Sequence, residues 1–301
     1  MLRILNVPFR VFRFYLQLAL IAGTSLMNSA AQAWSAQVHS AIGEAVYQRL
    51  SAEERRYFIA RIPSLRAERV TRINQLSAWA DSIRDEPLAS LIKGPVPASL
   101  RAFAPDPTRT WHYTNAYVLK TADVACTPAN TGRLDSALVA LDRALKEEKL
   151  DQQQEMLYLA LLMHLLEDAH QPLHTSTRQF HDCESDRGGN LFCLRKHKAQ
   201  CIFNLHQLWD GGFSTTSNSG IARLGDAPGA NLPFPMLVNL ILAEGQGMAE
   251  KVYGLDENRD PGSAYIAWAS EVAASRISLS AHRVTRYLKD YYDYRHALQS
   301  R

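Results

Sequence analysis

The 301-residue sequence has no Gly/Ser-rich or Pro-rich linker, no low-complexity tract and no internal repeat. That argues against a solenoid and against domains strung on flexible tethers. One domain is the simplest organisation for a chain with 47% hydrophobic residues, enough for one large core or two small ones. Among the four cysteines, Cys126, Cys183, Cys193 and Cys201, there is no Cys-x-x-Cys spacing, which weighs against zinc held by cysteine. No Asn-x-Ser/Thr sequon is present, which favours a bacterial exported protein over a glycosylated one. An excess of one charge is missing as well. The formal net charge is +3, and Arg3, Arg10 and Arg13 supply all of it, so the chain from Trp34 onward is neutral with histidine uncharged. Generic attraction to polyanions is therefore weak. An anionic substrate would need positive charge from bound metal.

A membrane-spanning run is lacking too. The apolar stretch from Phe14 through Leu26 is short for a spanning helix. It follows the three arginines and ends in Ala31-Gln32-Ala33, the small-x-small pattern of a cleavage site. Residues 1–33 are expected to be a signal peptide cleaved after Ala33, with an uncleaved anchor as the alternative. The mature chain, 34–301, would then start at Trp34, be secreted or periplasmic, and have no stable membrane association. Four cysteines in an exported chain point to disulfides. They allow three pairings, and the sequence alone does not choose; Cys193–Cys201 with Cys126–Cys183 is preferred.

Most of the mature chain has helical periodicity. Ala36 through Leu50 forms an apolar face, and Ser51 with Glu54 has the pattern of a capping box. Ile73, Leu76, Trp79, Ala80 and Ile83 mark an amphipathic helix; Arg84 to Trp111 is Pro-rich and mostly loop. Further helices are expected over Ala137 to Leu145, Glu155 to Ala169, Asn204 to Phe213, Pro235 to Tyr253 and Ser263 to Leu298, with Pro172 limiting the second of these. The helical signal is lost from Thr175 to Phe203, where Gly188-Gly189-Asn190 sits and a short hairpin is plausible. The fold class is all-α with one irregular insertion.

Histidines and carboxylates recur at telling intervals. His164 and Asp168 are four apart on the most apolar helix, and His206 and Asp210 repeat the spacing. Residues at i and i+4 share a helix face, so each pair can grip one ion. His174 follows Pro172, Asp81 follows Trp79-Ala80, and His112 lies within Trp111-His112-Tyr113. A single such histidine is ordinarily a hydrogen-bonded core residue, and one His/Asp pair is often a local hydrogen bond. Two pairs on apolar helices shift the balance, because an unpaired Asp among Leu, Met and Ala costs several kcal/mol to bury and a cation offsets that cost. Imidazole with carboxylate suits zinc. A freed Trp34 amine, with a pKa of about 7.7–8.0, could lose its proton and chelate an ion together with its own carbonyl oxygen. His39, five residues on, could share that ion.

Taken in order, Trp34 with His39, Trp79-Ala80-Asp81, Trp111-His112-Tyr113, His164-x-x-x-Asp168-x-His170-Gln171-Pro172-Leu173-His174, Asp186-Arg187-Gly188-Gly189-Asn190 and Asn204-Leu205-His206-x-x-Trp209-Asp210 resemble the S1/P1 nuclease family. The likeness runs from Trp34 to about Asp210, and the combined pattern is far more specific than any piece. It implies a single-domain, multi-helix phospholipase C/P1 nuclease-like fold with three Zn2+ ions. By that likeness, Asp81, His112, His164 and Asp168 hold one zinc. Trp34 and His39, with the other oxygen of Asp168, hold a second, and His174, His206 and Asp210 hold a third. His170 supports the site without ligating.

The likeness also implies an enzyme that hydrolyses single-stranded DNA, RNA and 3′-nucleotides to 5′-phosphorylated products, expected as a monomer. Asp81 and Asp168 would be catalytic through their metals, and Arg84 would clamp a phosphate oxygen. Tyr113 would stack a base, worth roughly 1–3 kcal/mol, and Asn115 would bond the base edge. Fungal members carry Phe and Asp at these two positions, and Asn both donates and accepts where ionised Asp only accepts. Gly211 stands where some members carry an Asn near the site. Asn190 either orients a metal ligand or makes a turn. The alternative activity is a zinc phospholipase C, which shares the fold but has Glu where Asp210 stands. A non-catalytic zinc-binding protein is disfavoured by the open position expected at a zinc with three protein ligands.

Overall fold

The computed structural model describes residues 34–300 apart from 66, 68–69, 121–125, 148, 181, 212, 214–220 and 222–226. The expected signal peptide and its cleavage point lie outside the described residues. The described residues belong to one compact unit. Its class is all-α: the described strands make only two two-stranded sheets.

Helix α1 (Ala36–Arg49) starts at Ser35, whose hydroxyl accepts the Val38 amide. Helix α2 (Ala52–Arg61) opens with the expected reciprocal capping box between Ser51 and Glu54. Helix α3 (Ile73–Trp79) is shorter than its periodicity suggests, because the chain tightens into a 3-10 turn at Ala80–Ile83 that carries Asp81. The Pro-rich stretch that follows is mostly loop, as expected, with a one-turn helix α4 (Leu88–Leu91) and 3-10 turns at Ala98–Leu100 and Thr108–Trp111.

Helices α5 (Leu134–Glu147) and α6 (Gln152–Asp168) are paired. Every residue of α6 from Gln154 to Asp168 is buried. A helix apolar on all sides must lie inside the protein, and α6 is packed against α1, α3, α5 and the long C-terminal helix. Asp151 and Gln154 form a second capping box at its start.

After α6 the chain leaves helix as expected. Strand β2 (Ser176–Arg178) pairs in parallel with β1 (Tyr117–Leu119), a pairing the periodicity did not announce. Strands β3 (Cys193–His197) and β4 (Gln200–Asn204) form the anticipated hairpin. Cys193–Cys201 bridges that hairpin and Cys126, after β1, is joined to Cys183, after β2, the preferred pairing. Two disulfides point to an oxidising extracellular or periplasmic compartment. Helix α7 (Leu205–Gly211) follows at once. The single helix expected to Tyr253 is two, α8 (Phe234–Gln246) and α9 (Ala249–Val252), since Gly245-Gln246-Gly247 weakens helix at that point. Helix α10 (Ser263–Gln299) runs 37 residues along α1, α2 and α6. No helix among the described residues is long and apolar enough to cross a membrane.

Candidate metal centre

The close approach of α1 to α3 sets one wall of the centre. A Cβ on Gly43 would lie 2.7 Å from the Asn74 Cα, so glycine lets the two helices meet. That contact brings His39 of α1 beside α3 and α6. Helix α6 contributes His164 and Asp168 from one face. The 3-10 turn after α3 contributes Asp81, the turn Thr108–Trp111 delivers His112, and the turn Pro172–His174 delivers His174. Helix α7 adds His206 and Asp210.

Asp168 is the hub. Its Oδ1 lies 3.3 Å from His39 Nε2 and 3.8 Å from His174 Nδ1. Its Oδ2 lies 2.9 Å from His112 Nδ1 and 3.2 Å from His164 Nε2. Asp81 Oδ1 stands 3.6 Å from His164 Nε2 and 3.8 Å from His112 Nδ1. The His39 and His164 rings stack with centroids 3.9 Å apart. On the far side, Asp210 Oδ2 is 3.3 Å from His206 Nε2, and its Oδ1 is 3.9 Å from His174 Nε2. The fold thus brings together the eight side chains that the likeness names as ligands. They fall into three groups whose donor atoms lie within 4.8 Å of one another: His39, His164 and Asp168; Asp81, His112 and His164; His174, His206 and Asp210.

Several of these atoms have no hydrogen-bond partner despite burial: Nε2 of His39, His112 and His174, both oxygens of Asp81, and Oδ1 of Asp168. Orphaned buried polar atoms are rare and costly. Here they converge, and their chemistry of imidazole nitrogen with carboxylate oxygen fits a zinc-like cation. The opposite ring nitrogens are occupied. His164 Nδ1 donates to the Ser77 carbonyl at 2.8 Å, His174 Nδ1 to the His112 carbonyl at 2.6 Å, and His206 Nδ1 to the Gly188 carbonyl at 2.6 Å. His39 Nδ1 meets Glu167 Oε2 at 2.5 Å. Each bond fixes the tautomer that leaves a lone pair on Nε2. Gly188 can play this part only as glycine: its φ is +62° and a Cβ would fall 2.3 Å from the Leu173 carbonyl oxygen.

Without a cation, protons balance the charge. Burial disfavours a charged His39, but the adjacent carboxylates of Asp168 and Glu167 outweigh it and raise its pKa to about 10. Burial alone would raise Asp168, yet His164 and His174 hold it well below the usual carboxylate range. Asp210 behaves in the opposite way: burial lifts it well above that range, against one bond from Gln171 Nε2 at 2.8 Å. Burial also depresses His174, and His206 falls to about 3.

Trp34 is 1% exposed. Its indole N–H donates to the Glu167 carbonyl at 3.1 Å, and the Ser35 amide donates to the Asp210 carbonyl at 2.9 Å. The segment therefore lies against both α6 and α7. His170 is buried and non-ligating: Nδ1 donates to the Leu166 carbonyl at 2.7 Å and Nε2 accepts from Arg283 at 3.0 Å. Arg84 caps the Asp81 turn with its side chain largely covered, and its carbonyl accepts the Arg109 amide at 2.7 Å. Tyr113 is partly exposed with its hydroxyl 2.9 Å from that of Thr131, and Asn115 is buried, its main-chain N–H donating to Asn130 Oδ1 at 3.0 Å. Asn190 donates to the Arg187 carbonyl at 2.7 Å, which closes a turn.

Sequence reasoning passed over Glu167, Ser77 and Gln171. The signal for Glu167 was available: a second acid beside Asp168 on a wholly apolar helix needs partners for the same reason that Asp168 does. Ser77 acts through its hydroxyl and its carbonyl, and Gln171 through a contact with a residue 39 positions away, so neither left a pattern.

No curated protein matches the chain at a significant level. The family model described as S1/P1 Nuclease matches residues 34–293, most of the chain and the whole stretch that carries the site. The chain belongs to the S1/P1 nuclease family and is a metal-dependent hydrolase of phosphodiester bonds.

Proposed function

We propose that this hydrolase is a zinc-dependent endonuclease and phosphodiesterase. It cleaves single-stranded DNA, RNA and 3′-nucleotides and leaves 5′-phosphorylated products. One observation carries the reading: orphaned buried donor atoms from five separate segments converge, with His164, His206 and Asp210, into three groups. Asp81, His112, His164 and Asp168 would hold one zinc. The Trp34 amine and carbonyl, with His39 and Asp168, would hold a second, and His174, His206 and Asp210 a third. In the full-length chain the Trp34 nitrogen is a peptide amide, so removal of residues 1–33 would create a ligand as well as accompany export.

When bound, the zinc ions would ionise a water near neutral pH and stabilise charge on phosphoryl oxygens. The protein side chains have separate tasks. The Nδ1 bonds of His39, His164, His174 and His206 keep the imidazoles neutral and aimed once cations replace protons. Asp168, in contact with four imidazoles, would supply one oxygen to each of two zinc ions. Arg84 would clamp a non-bridging phosphate oxygen. Tyr113 offers the ring face for a base, and Asn115 an amide for its edge. Burial around α6 excludes bulk water, which strengthens every electrostatic contact there.

The test pairs zinc counting with assays on protein that begins at Trp34. Three zinc ions per chain, with hydrolysis of single-stranded nucleic acid and 3′-nucleotides and none of phosphatidylcholine, is the expected result. The reverse substrate pattern would overturn the nuclease reading in favour of a phospholipase C.

A further inference from the structure

We propose that Glu167 is a positioning residue that seats the Trp34–His39 segment and so completes the metal group of His39; this rests on the reading above of that segment as a ligand source. Glu167 sits in the last turn of α6, one residue before Asp168, and is fully buried. It makes three tethers to two other segments. Its main-chain carbonyl accepts the Trp34 indole at 3.1 Å. Its Oε2 meets His39 Nδ1 at 2.5 Å. Its Oε1 accepts the hydroxyl of Ser77 on α3.

The third tether reaches a second imidazole. The Ser77 carbonyl accepts His164 Nδ1 at 2.8 Å. One carboxylate thus aims His39 directly and His164 through α3, and these are the two rings stacked at 3.9 Å. Glu167 belongs to none of the candidate metal groups among the described residues, and both its oxygens are engaged elsewhere. It therefore acts through other residues rather than as a ligand.

Packing alone does not account for it. The preceding positions are Leu165 and Leu166, and a leucine would bury at 167 without the several kcal/mol that desolvating a carboxylate costs. A carboxylate on Nδ1 does what leucine does not: it locks the tautomer with its lone pair on Nε2 and raises the basicity of that nitrogen. The Ser35 amide bond to the Asp210 carbonyl pins the backbone of the same segment from α7. Glu167 pins its side chains from α6.

The experiment uses protein processed to begin at Trp34, with Glu167→Ala, Glu167→Gln and Ser77→Ala. Zinc per chain is measured by elemental analysis, and affinity by competition with a chromophoric chelator. Glu167→Ala is expected to carry one zinc fewer than the parent, with unchanged affinity at the group of His174, His206 and Asp210. Glutamine can accept from His39 and donate to Ser77. Glu167→Gln is therefore expected to keep the zinc count and bind the weakest ion about 10–100-fold less tightly. Ser77→Ala, which leaves the His39 contact intact, is expected to keep the count with a smaller loss. Parent-like count and affinity in both Glu167 variants overturn the proposal, and so does equal weakening at every zinc, the mark of general loosening. Where Glu167→Ala fails to fold, the affinity of Glu167→Gln decides: a parent-like value overturns. A parent protein that binds no zinc at all overturns the metal reading itself, and this inference with it.

Discussion

The groups around Asp168 and Asp210 use the same residue types and reach opposite electrostatic states. Around Asp168, interactions led by the charge of His164 outweigh the cost of burial, so the carboxylate stays ionised and His39 takes the proton. Around Asp210, burial wins: the carboxylate is lifted, and His174 and His206 are held neutral. The difference is one of company rather than chemistry. Asp168 has four histidines within 4 Å, whereas the main relief for Asp210 is a neutral amide from Gln171. A cation entering the first group must displace protons from imidazole. In the second it must take one from the acid.

The sharpest way to break the comparison is to delete each hub. Asp168→Ala is expected to cost on the order of 10³-fold or more in kcat/KM, the scale of losing a preorganised electrostatic group, since the proposed ligand sets of two zinc ions include it. Asp210→Ala should cost less and remove a single zinc. Equal losses of zinc and activity in the two variants would show that the groups are not separable.

Stability should move in opposite directions in the metal-free protein at neutral pH. Asp168 has a depressed folded pKa, so its contribution is present above the normal carboxylate range and is lost as pH falls through the folded value. Asp168→Asn breaks a buried pairing and should destabilise by roughly 3–5 kcal/mol. Asp210 has a raised folded pKa, so its ionisation opposes folding above the normal range. Asp210→Asn keeps the acceptor for Gln171 and should stabilise by about 1 kcal/mol, the scale of a single stabilising substitution. Denaturant melts of chelated protein check both signs, and a shared sign would refute the contrast.

The histidines give the pH counterpart. His39 is raised, so its contribution is full below about pH 6.5 and is lost as pH rises toward about 10. His206 is depressed, so its contribution is present above about pH 6.5 and is lost as pH falls toward about 3. Chelated His39→Ala and His206→Ala proteins should therefore differ from the parent at opposite ends of a pH–stability profile. The smallest effect is expected from Gln171→Ala: zinc affinity about 10-fold lower at the Asp210 group and unchanged at the other two, read by chelator competition.

What the sequence disclosed was governed by distance along the chain. His164 with Asp168, and His206 with Asp210, were legible because helical spacing is local. The capping box of Ser51 and Glu54 was legible for the same reason. Asp81 and His112 could be grouped with them only through likeness to a family, because nothing in their own neighbourhoods says that α3 and the Thr108–Trp111 turn meet α6. The pairing of β1 with β2 joins three-residue strands that lie far apart in sequence, so no alternation betrayed it. The break between α8 and α9 was hidden by continuous apolar spacing on either side of two glycines. Glu167 stands outside the i, i+4 pairing of His164 with Asp168, and its partners lie on other segments.

Helix α6 is enclosed on every side, and that bears on how the molecule opens. Its amides should be among the last to exchange with solvent, because they can be exposed only when the whole core comes apart. His164, Glu167 and Asp168 are carried on that most protected element. Local breathing of the hairpin, α8 or the Arg84 loop leaves their spacing intact. Heating should therefore keep these three side chains in register until global melting, and the loss of their spacing and the loss of the core should be one event.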